Sequence, residues 1–296
     1  MNTVLDAQIA QQLAAARLDA SEIADLVART VAEDLDGGVD VTSVSTVPAA
    51  QRSVLDLVAR QQGVTSGVWV AAAVFDLVSE HDAEIAVHIA DGSQVMPGDC
   101  IISITGRTRD LLLGERTALN FFGHLSGVAT ATHEWAKALA GTSANVRDTR
   151  KTTPLLRHLE KYAVRCGGGV NHRMSLSDAA LVKDNHIVAA GGVREAFEAV
   201  HQRFPGIPVE VEVDTLEQLS EVLDAGADLV LLDNFTTDQM REAVTMNHGR
   251  AKLEASGGLT IETAAAVGAT GVDFIAVGAL THSARVLDIG ADLRTI

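Results

Sequence analysis

Basic side chains are concentrated in one segment of an otherwise acidic chain. The 296-residue protein has a formal net charge of −16. Between Arg147 and Lys183, however, eight Lys and Arg residues stand against three Asp and Glu residues, a local charge of 8 − 3 = +5, with His158 and His172 in addition. An acidic protein that gathers its cations in one segment usually binds an anionic ligand there. The segment therefore predicts an anion site.

Two groups of basic residues can be distinguished within this segment. Arg157, Lys161 and Arg165 recur at every fourth residue after Pro154, which is typical of a helix that exposes one basic face to solvent. The others stand where apolar runs give way to Thr, Gly and Asn, as in loops that follow strands. Because such loops often carry function, we assign these residues to the candidate site: Arg150, Lys151, His172, Arg173 and Lys183.

Acidic side chains alternate with valines between Val209 and Asp214. In a strand this alternation puts Glu210, Glu212 and Asp214 on one face, which must point away from the covering helices. Buried carboxylates need cationic partners, because an unpaired buried charge is strongly unfavourable. We therefore predict that Glu210 joins Lys252 and Glu254 in a structural ion layer. Glu212 and Asp233, nearer the strand ends, are expected to face a ligand.

Two consecutive loops near the C-terminus contain glycine, Ser256-Gly257-Gly258 and Val277-Gly278-Ala279. Glycine lets backbone N–H groups approach a phosphate, and the last strand-end loops of a (β/α) barrel commonly bind one. Glycines that only form tight turns are the alternative. Carboxylates facing a phosphorylated ligand suit ribose hydroxyls and a Mg²⁺ ion. Together with the basic residues, these features indicate group transfer between two anionic substrates.

A repeated strand–loop–helix pattern must position these residues. Polar residues or glycine close the expected strands, and from Lys183 through Glu212, Asp233 and Ser256 to Gly278 they are separated by 29, 21, 23 and 22 residues. This spacing is typical of βα units with a site at the C-terminal strand ends. We predict an α/β fold with an incomplete (β/α) barrel, with strands at 144–149, 179–184, 208–214, 229–233, 251–256 and 273–278 and helices at 192–203, 215–225 and 260–268.

The first part of the chain has a different pattern. Helical periodicity covers 6–35 and 67–79, a strand is expected at 53–60, and short β runs with turns fill 83–106. A helix over 115–140, interrupted near Gly123 and Gly127, would connect the two parts. We therefore expect an N-terminal α+β open-sandwich domain at 1–125 and the barrel at 126–282. The tail, 283–296, is expected to return to the first domain.

Composition limits the possible settings. With 47% hydrophobic residues and 25 glycines the chain is typical of a soluble globular protein, and neither a membrane span nor a secretory signal is visible. Cys100 and Cys166 alone can form neither a disulfide framework nor a structural zinc site, which favours a reducing cytoplasm. A single confined basic cluster argues against nucleic-acid binding.

Over nearly the whole chain, a series of motifs resembles one family. The motifs are Glu115-Arg-Thr-Ala-Leu-Asn, Leu125-Ser-Gly-Val-Ala-Thr, Asp148-Thr-Arg-Lys-Thr, Gly167-Gly-Gly-Val-Asn-His-Arg, Lys183-Asp-Asn-His, Glu210-Val-Glu-Val-Asp, Leu232-Asp-Asn, Ser256-Gly-Gly and Ala276-Val-Gly-Ala-Leu-Thr-His. In this order they resemble the quinolinate phosphoribosyltransferases, also called carboxylating nicotinate-nucleotide pyrophosphorylases.

The resemblance implies a cytoplasmic enzyme of NAD biosynthesis that converts quinolinate and 5-phosphoribosyl-1-pyrophosphate, with Mg²⁺, to nicotinate mononucleotide, pyrophosphate and CO₂. It implies catalytic roles for Lys151, Glu212 and Asp233, the two carboxylates also serving the metal, directly or through water or substrate. It implies a homodimer as the functional unit, alone or within a hexamer, with Arg116 reaching the partner's site. The implied substrate-binding set is Arg116, Thr149, Arg150, Lys151, His172, Arg173, Lys183, Glu212, Asp233, Ser256, Gly257, Gly258, Val277, Gly278 and Ala279.

Two other functions remain open from the residues themselves. Lys183 could form a Schiff base in a barrel lyase or aldolase. Alternatively, the same scaffold could be a non-catalytic sensor of a phosphorylated sugar. Release of CO₂ from quinolinate, dependent on the phosphoribosyl donor and Mg²⁺, would separate these alternatives from the transferase.

Overall fold

The computed structural model describes residues 3–296, which form two compact units. The first unit contains the chain up to Ala131 together with His158–Gly168 and Ala284–Ile296. The second unit contains Thr132–Arg157 and Gly169–Ser283. Across residues 3–296, every helix is too short or too polar to cross a membrane.

The first unit combines helices with an antiparallel sheet. Its four-stranded sheet has the order β12-β1-β5-β3, and β12 pairs along the whole of β1, from Ser53–Thr295 to Ala59–Ile289. The elements are α1 (Ala7–Ala15), α2 (Ala20–Leu35), α3 (Val41–Thr46), β1 (Arg52–Ala59), β2 (Gly63–Val64), α4 (Val68–Val78), β3 (Glu84–Val87), β4 (Gln94–Val95), β5 (Cys100–Arg107), the start of α5 (Thr108–Ala138), most of α6 (Arg157–Cys166) and β12 (Ile289–Thr295).

Two helix predictions for this part of the chain were wrong in detail. The helix expected over 6–35 is two helices, because Arg17 adopts φ +60° and Asp19 begins α2 as an N-cap, accepting from the Ser21 and Glu22 N–H groups. The break expected in α5 near Gly123 and Gly127 does not occur, since the helix is continuous from Thr108 to Ala138. A Cβ on Gly127 would lie 2.0 Å from the Arg285 carbonyl oxygen, so this glycine permits a close backbone approach.

The second unit contains a six-stranded parallel sheet in the order β6-β11-β10-β9-β8-β7. All six predicted strands are present, which confirms the incomplete (β/α) barrel. The elements, after the end of α5, are β6 (Asn145–Arg147), β7 (Ala180–Val182), α7 (Asp184–Ala190), α8 (Val193–Arg203), β8 (Val209–Val213), α9 (Leu216–Asp224), β9 (Leu229–Asp233), α10 (Thr237–Asn247), β10 (Lys252–Ser256), α11 (Ile261–Gly268), β11 (Phe274–Ala276) and α12 (Ala279–His282).

Alternation along the strands supplies both the core and the polar interior. In β8, Val209, Val211 and Val213 are buried on one side, while Glu210 and Glu212 point to the other. Hydroxyl residues just after the strands begin the following helices: Thr215 accepts a hydrogen bond from the Gln218 N–H group, and Thr236 from that of Gln239. These two caps fix where α9 and α10 start and so limit the loops that follow β8 and β9.

The basic helix face expected after Pro154 is not a solvated one. Helix α6 begins at Arg157, and the Lys161 side chain in it is fully buried. Arg165 donates to the Ala16 carbonyl oxygen, and Arg157 donates to Thr152 Oγ1 and the Met174 carbonyl oxygen. Spacing by four placed these residues on one helix face but could not tell whether that face was inside or outside.

Candidate functional site

A cavity of about 330 Å³ opens where the parallel strands of the second unit end. This volume is within the range of sites for small molecules. Its lining brings together many of the residues assigned from the sequence, with Leu181, Leu231 and Ala276 as apolar walls. The polar lining residues are Thr149, Arg150, Lys151, His172, Arg173, Lys183, Glu212, Glu254 and Ser256.

Two arginines in this cavity have unsatisfied donors. The Nε atoms of Arg150 and Arg173 are both buried without a hydrogen-bond partner, although Arg173 Nη1 donates to the Ala179 carbonyl oxygen at 3.0 Å. Burial lowers the pKa of Arg173, and the nearby Arg150 lowers it further, against the opposing effect of Asp178 and Glu210. Because buried donors need acceptors and two cations repel, this pair is suited to a carboxylate or phosphate.

A lysine and a glutamate face each other at the cavity mouth. Lys183 Nζ lies 2.6 Å from Glu212 Oε2, with the lysine side chain 46% exposed and the glutamate 14% exposed. Lys151 is held by its backbone: its N–H group donates to Thr149 Oγ1, and its carbonyl oxygen accepts from Thr281 Oγ1. An anionic ligand can therefore compete with Glu212 for Lys183 without disturbing the backbone that carries Lys151.

Glu212 is the penultimate residue of β8, and Asp233 is the last residue of the neighbouring strand β9. Burial raises the pKa of Asp233, and the neighbouring Glu212 and Asp214 raise it further, while Lys183 and Lys151 oppose this effect. The negative charges of Glu212, Asp214 and Asp233 are thus only partly compensated by the nearby lysines. A hard cation with oxygen ligands, or hydroxyl donors from a ligand, would relieve that imbalance, so the residues present fit Mg²⁺.

A second acidic group lies deeper and already has a cation. His172, Glu210 and Glu254 present ligand atoms within 4.8 Å of one another, an arrangement that could also hold a metal ion. Arg147 instead makes a close ion pair with Glu254 through its Nη1 atom, which is 3.5 Å from Glu210 Oε1. The predicted ion layer therefore contains Glu210 and Glu254. Lys252 was wrongly included, since it is 64% exposed and pairs with Asp273.

His172 is fixed by three hydrogen bonds. Its backbone N–H group donates to Asp148 Oδ1, its Nδ1 accepts from the Arg173 N–H group at 2.7 Å, and its Nε2 lies 2.7 Å from Glu210 Oε2. An Nδ1 atom that accepts carries no proton, so the Nε2 atom must donate to Glu210. In this arrangement the imidazole is neutral and connects the ion layer to the backbone of Arg173.

The glycine loops adjoin this cavity. Gly257 and Gly258 adopt φ +95° and +59°, and a Cβ on Gly257 would lie 2.1 Å from Asn234 Oδ1. A Cβ on Gly278 would lie 3.0 Å from Lys151 Cδ, which puts the second loop next to that lysine, with Ala279 beginning α12. Val277 is buried, and its N–H group donates to the Arg147 carbonyl oxygen. The backbone donor of Val277 is therefore committed to the sheet.

One residue assigned from the sequence lies outside the cavity, and two residues near it were not assigned. Arg116 is on α5 in the first unit, where its side chain is exposed. Asp148, which is fully buried and also accepts from Asn171, and Asn234 were not assigned from the sequence. Both belong to quoted motifs, Asp148-Thr-Arg-Lys and Leu232-Asp-Asn, and that position in a motif was the one available signal.

Fold and cavity together define a class: a (β/α) barrel-type protein that binds anionic ligands, in whose strand-end cavity arginines with unsatisfied donors lie together with carboxylates. Two family models match the chain, the quinolinate phosphoribosyl transferase N-terminal domain over residues 40–126 and its C-terminal domain over 128–292. The chain belongs to the quinolinate phosphoribosyltransferase family.

Individual relatives agree with this assignment. The chain is 49% identical to the carboxylating nicotinate-nucleotide pyrophosphorylase of Mycobacterium leprae, covering 91% of this chain and 96% of that protein. It is 42% identical to a probable enzyme of the same name from Bacillus subtilis, covering 88% and 90%. The crystal structure of NadC from Streptococcus pyogenes is similar, with a TM-score of 0.89 at 38% identity over 93% of this chain and 97% of that one.

Proposed function

We propose that this enzyme transfers the phosphoribosyl group of 5-phosphoribosyl-1-pyrophosphate to quinolinate with decarboxylation. The products are nicotinate mononucleotide, pyrophosphate and CO₂, a step of NAD biosynthesis. The observation that carries the proposal is the pair of buried, partnerless Nε donors on Arg150 and Arg173 in a cavity of about 330 Å³. Quinolinate, a small aromatic dicarboxylate, has the charge and the planar groups that such donors bind.

The acidic substrate would be held by the basic side of the cavity. Arg150 and Arg173 supply planar guanidinium groups, and Lys183 supplies an ammonium group that a carboxylate can take over from Glu212. His172 contributes through its contact with Arg173, and Thr149 through its hydrogen bond to the Lys151 N–H group. Arg116 would complete the set from a second subunit.

The phosphoribosyl donor would be held by the opposite side. The backbone of Ser256, Gly257 and Gly258, and that of Gly278 and Ala279 in the second loop, is suited to the 5-phosphate, since glycine leaves room for close approach. Glu212 and Asp233 would bind the ribose hydroxyls and hold Mg²⁺, directly or through water or substrate. When bound, the metal would neutralise charge on the pyrophosphate group.

The chemistry then requires little from the protein beyond charge. The ring nitrogen of quinolinate forms a bond to the anomeric carbon as the bond to pyrophosphate breaks, and Glu212 or Asp233 stabilises the positive charge that develops on the ribose. Lys151 stabilises the departing anion. The bond to the carboxylate beside the nitrogen then breaks, its electron pair remains on the ring carbon next to the pyridinium, and a solvent proton replaces CO₂.

Labelled CO₂ provides the decisive measurement. Quinolinate labelled in the carboxylate beside the nitrogen should release CO₂ only when the donor and Mg²⁺ are both present. Borohydride treatment in the presence of a phosphorylated aldehyde or keto sugar should trap no adduct on Lys183, because that ammonium group is ion-paired with Glu212. Donor binding without CO₂ release would favour a sensor, and a trapped adduct would favour a lyase.

We also propose a homodimer, alone or within a hexamer, that works in the cytoplasm. The family assignment and the exposed position of Arg116 support a site completed by the partner. If Arg116 acts in trans, mixing refolded Arg116→Ala and Lys183→Ala subunits should restore roughly a quarter of wild-type activity, because half of the dimers are hybrids with one intact site each. If Arg116→Ala is inactive alone and mixing restores nothing, Arg116 acts within its own subunit; if Arg116→Ala is active alone, it has no role in the site.

A further inference from the structure

Asn234 has an unusual backbone conformation for a residue with a side chain. It follows the last residue of β9, Asp233, and adopts φ +56° in the left-handed region. Asparagine and glycine adopt this region more readily than other residues do. The next residue, Phe235, is buried, and Thr236 is the N-cap of α10, so the chain must turn between strand and helix within two residues.

Three contacts of Asn234 join two parts of the site. Its Nδ2 atom donates to Asp233 Oδ2 at 2.7 Å, and its backbone N–H group donates to the Ser256 carbonyl oxygen at 2.9 Å. Its Oδ1 atom lies so close to Gly257 that a Cβ there would be 2.1 Å away. One residue therefore touches both the carboxylate at the end of β9 and the glycine loop at the end of β10.

These two parts must bind the same molecule if the proposed function is correct. Asp233 would hold ribose hydroxyls, and the Ser256–Gly258 loop would hold the 5-phosphate of the same donor. The distance between them then has to match one rigid ligand, and small errors in such distances reduce turnover strongly. The bond to Oδ2 also fixes the carboxylate plane and leaves Oδ1 for the donor or for a cation.

We propose that Asn234 is a positioning residue that holds the Asp233 carboxylate and the Ser256–Gly258 loop at the separation the phosphoribosyl donor requires. The inference rests on the proposed function, because it assigns both parts to the donor. It concerns one substrate only: Asn234 makes none of the contacts that hold Arg150, Arg173 or Lys183. Its effect should therefore appear in the kinetics of the donor and not in the binding of quinolinate.

Two substitutions separate positioning from backbone shape. Asn234→Gly keeps the left-handed conformation, and with it the hydrogen bond to Ser256, but removes the amide. Asn234→Asp keeps the shape of the side chain but puts a carboxylate oxygen against Asp233. We expect Asn234→Gly to lower kcat about tenfold and to raise the donor KM several-fold, with the quinolinate KM within about twofold of wild type. Asn234→Asp should be more severe.

His248 offers a matched control. It also adopts a left-handed conformation, φ +47°, in the same unit, but it is an exposed residue at the end of α10. His248→Gly makes the same backbone change as Asn234→Gly, a glycine at a left-handed position, and so controls for the conformational effect of glycine alone. It should leave kcat and both KM values unchanged. Equal loss of activity in the two glycine variants would overturn the proposal.

Calorimetric titration of the donor with Mg²⁺ distinguishes this proposal from the function on which it rests. If wild type binds the donor and Asn234→Gly binds it several-fold more weakly, Asn234 positions the donor site whatever the acceptor is. If both bind equally and turn over alike, the positioning role is wrong while the function stands. If wild type does not bind the donor, the proposed function fails, and this inference fails with it. Should Asn234→Gly not fold, Asn234→Asp gives the same readouts.

Discussion

Glu210 and Glu212 lie two residues apart on β8 and point to the same side of the sheet, yet their surroundings differ. Glu210 is 3% exposed and contacts Arg147 and His172, whereas Glu212 lies at the cavity mouth and contacts the exposed Lys183. Arg147, Glu254 and Glu210 come from β6, β10 and β8, every second strand of the sheet. Alternate strands form the side-chain layers of such barrels. The deeper layer has its own buried cation, Arg147, whereas the mouth has an exposed partner, Lys183, that a ligand can take over.

From this contrast we propose that the deeper group serves stability and that the residues at the mouth serve substrate binding. Burial raises the pKa of Glu210, against the lowering effect of Arg147. Burial and the neighbouring Glu210 raise the pKa of Glu254 to about 7. The ionised group is tolerated only while Arg147 remains in place, because a buried carboxylate without its cation is strongly destabilising. Substitutions in the two groups should therefore have effects of different kinds.

Arg147→Ala should have the largest effect. It leaves Glu210 and Glu254 buried without their cation and should destabilise the protein by about 3–5 kcal/mol, a large part of the roughly 5–15 kcal/mol of an ordinary domain. Denaturant unfolding measures this, with Arg241→Ala as the control because Arg241 forms an exposed pair with Asp238. If both variants unfolded at the wild-type midpoint, the deeper group would not be structural.

Arg150→Ala and Lys183→Ala should lose binding of quinolinate instead. Each removes a cation from the cavity, and we expect kcat/KM for quinolinate to fall about a hundredfold, equivalent to ~2.7 kcal/mol. The donor should still bind, and unfolding midpoints should change little, since Lys183 is 46% exposed. Steady-state kinetics with either substrate varied tests this, and normal quinolinate kinetics in either variant would contradict the site assignment.

The two glutamates of β8 offer a direct comparison. Glu212→Gln should lower kcat more than Glu210→Gln does, because Glu212 lies at the cavity and Glu210 beneath it. Glu210→Gln should instead lower stability, since it weakens the contacts to Arg147 and His172. Parallel measurements of kcat and unfolding midpoint would reveal whether the two effects separate. A larger loss of kcat in Glu210→Gln than in Glu212→Gln would contradict the assignment of Glu210 to the structural layer.

Glu254 should make stability depend on pH in a known direction. Its folded pKa of about 7 lies above the unfolded value of 4.5, so the folded state binds the extra proton between these values. The stability contributed by this group is full below about pH 4.5 and is lost as pH rises through 7. Relative to wild type, Glu254→Gln should therefore gain about 1–3 kcal/mol between pH 5 and pH 8. A difference that does not vary with pH would contradict this.

Much of this arrangement follows from local sequence patterns. The six strands and the sides on which Glu210 and Glu254 lie follow from alternation and from the spacing of βα units, because both depend on neighbouring residues. The depth of a side chain within the barrel does not follow from these patterns. Lys252 alternates with Glu254, but it begins its strand at the exposed end and pairs with Asp273. Alternation determines on which side of the sheet a side chain lies. Its depth along the barrel axis depends on how neighbouring strands are staggered.

Contacts between residues that are distant in the sequence could not be predicted either. Lys161 has the spacing of a surface helix, yet what packs over α6 buries it. Asn234 has no periodic signature, because its role depends on a loop that follows a different strand. The convergence of Arg147 on Glu254 also requires knowing which strands lie opposite one another. The sequence could therefore predict side chains at strand ends better than the partners that hold them.

His172 connects the two groups, and its substitution should have the smallest and most informative effect. His172→Asn keeps an acceptor near the position of Nδ1 for the Arg173 N–H group but loses the contact with Glu210, whereas His172→Gln does the reverse. Each loss should amount to about 1 kcal/mol. We expect His172→Gln to raise the quinolinate KM more and His172→Asn to lower the unfolding midpoint more. If the imidazole bound the substrate directly, both variants would raise the quinolinate KM alike. His172 would then belong with the residues at the mouth and not with the deeper layer.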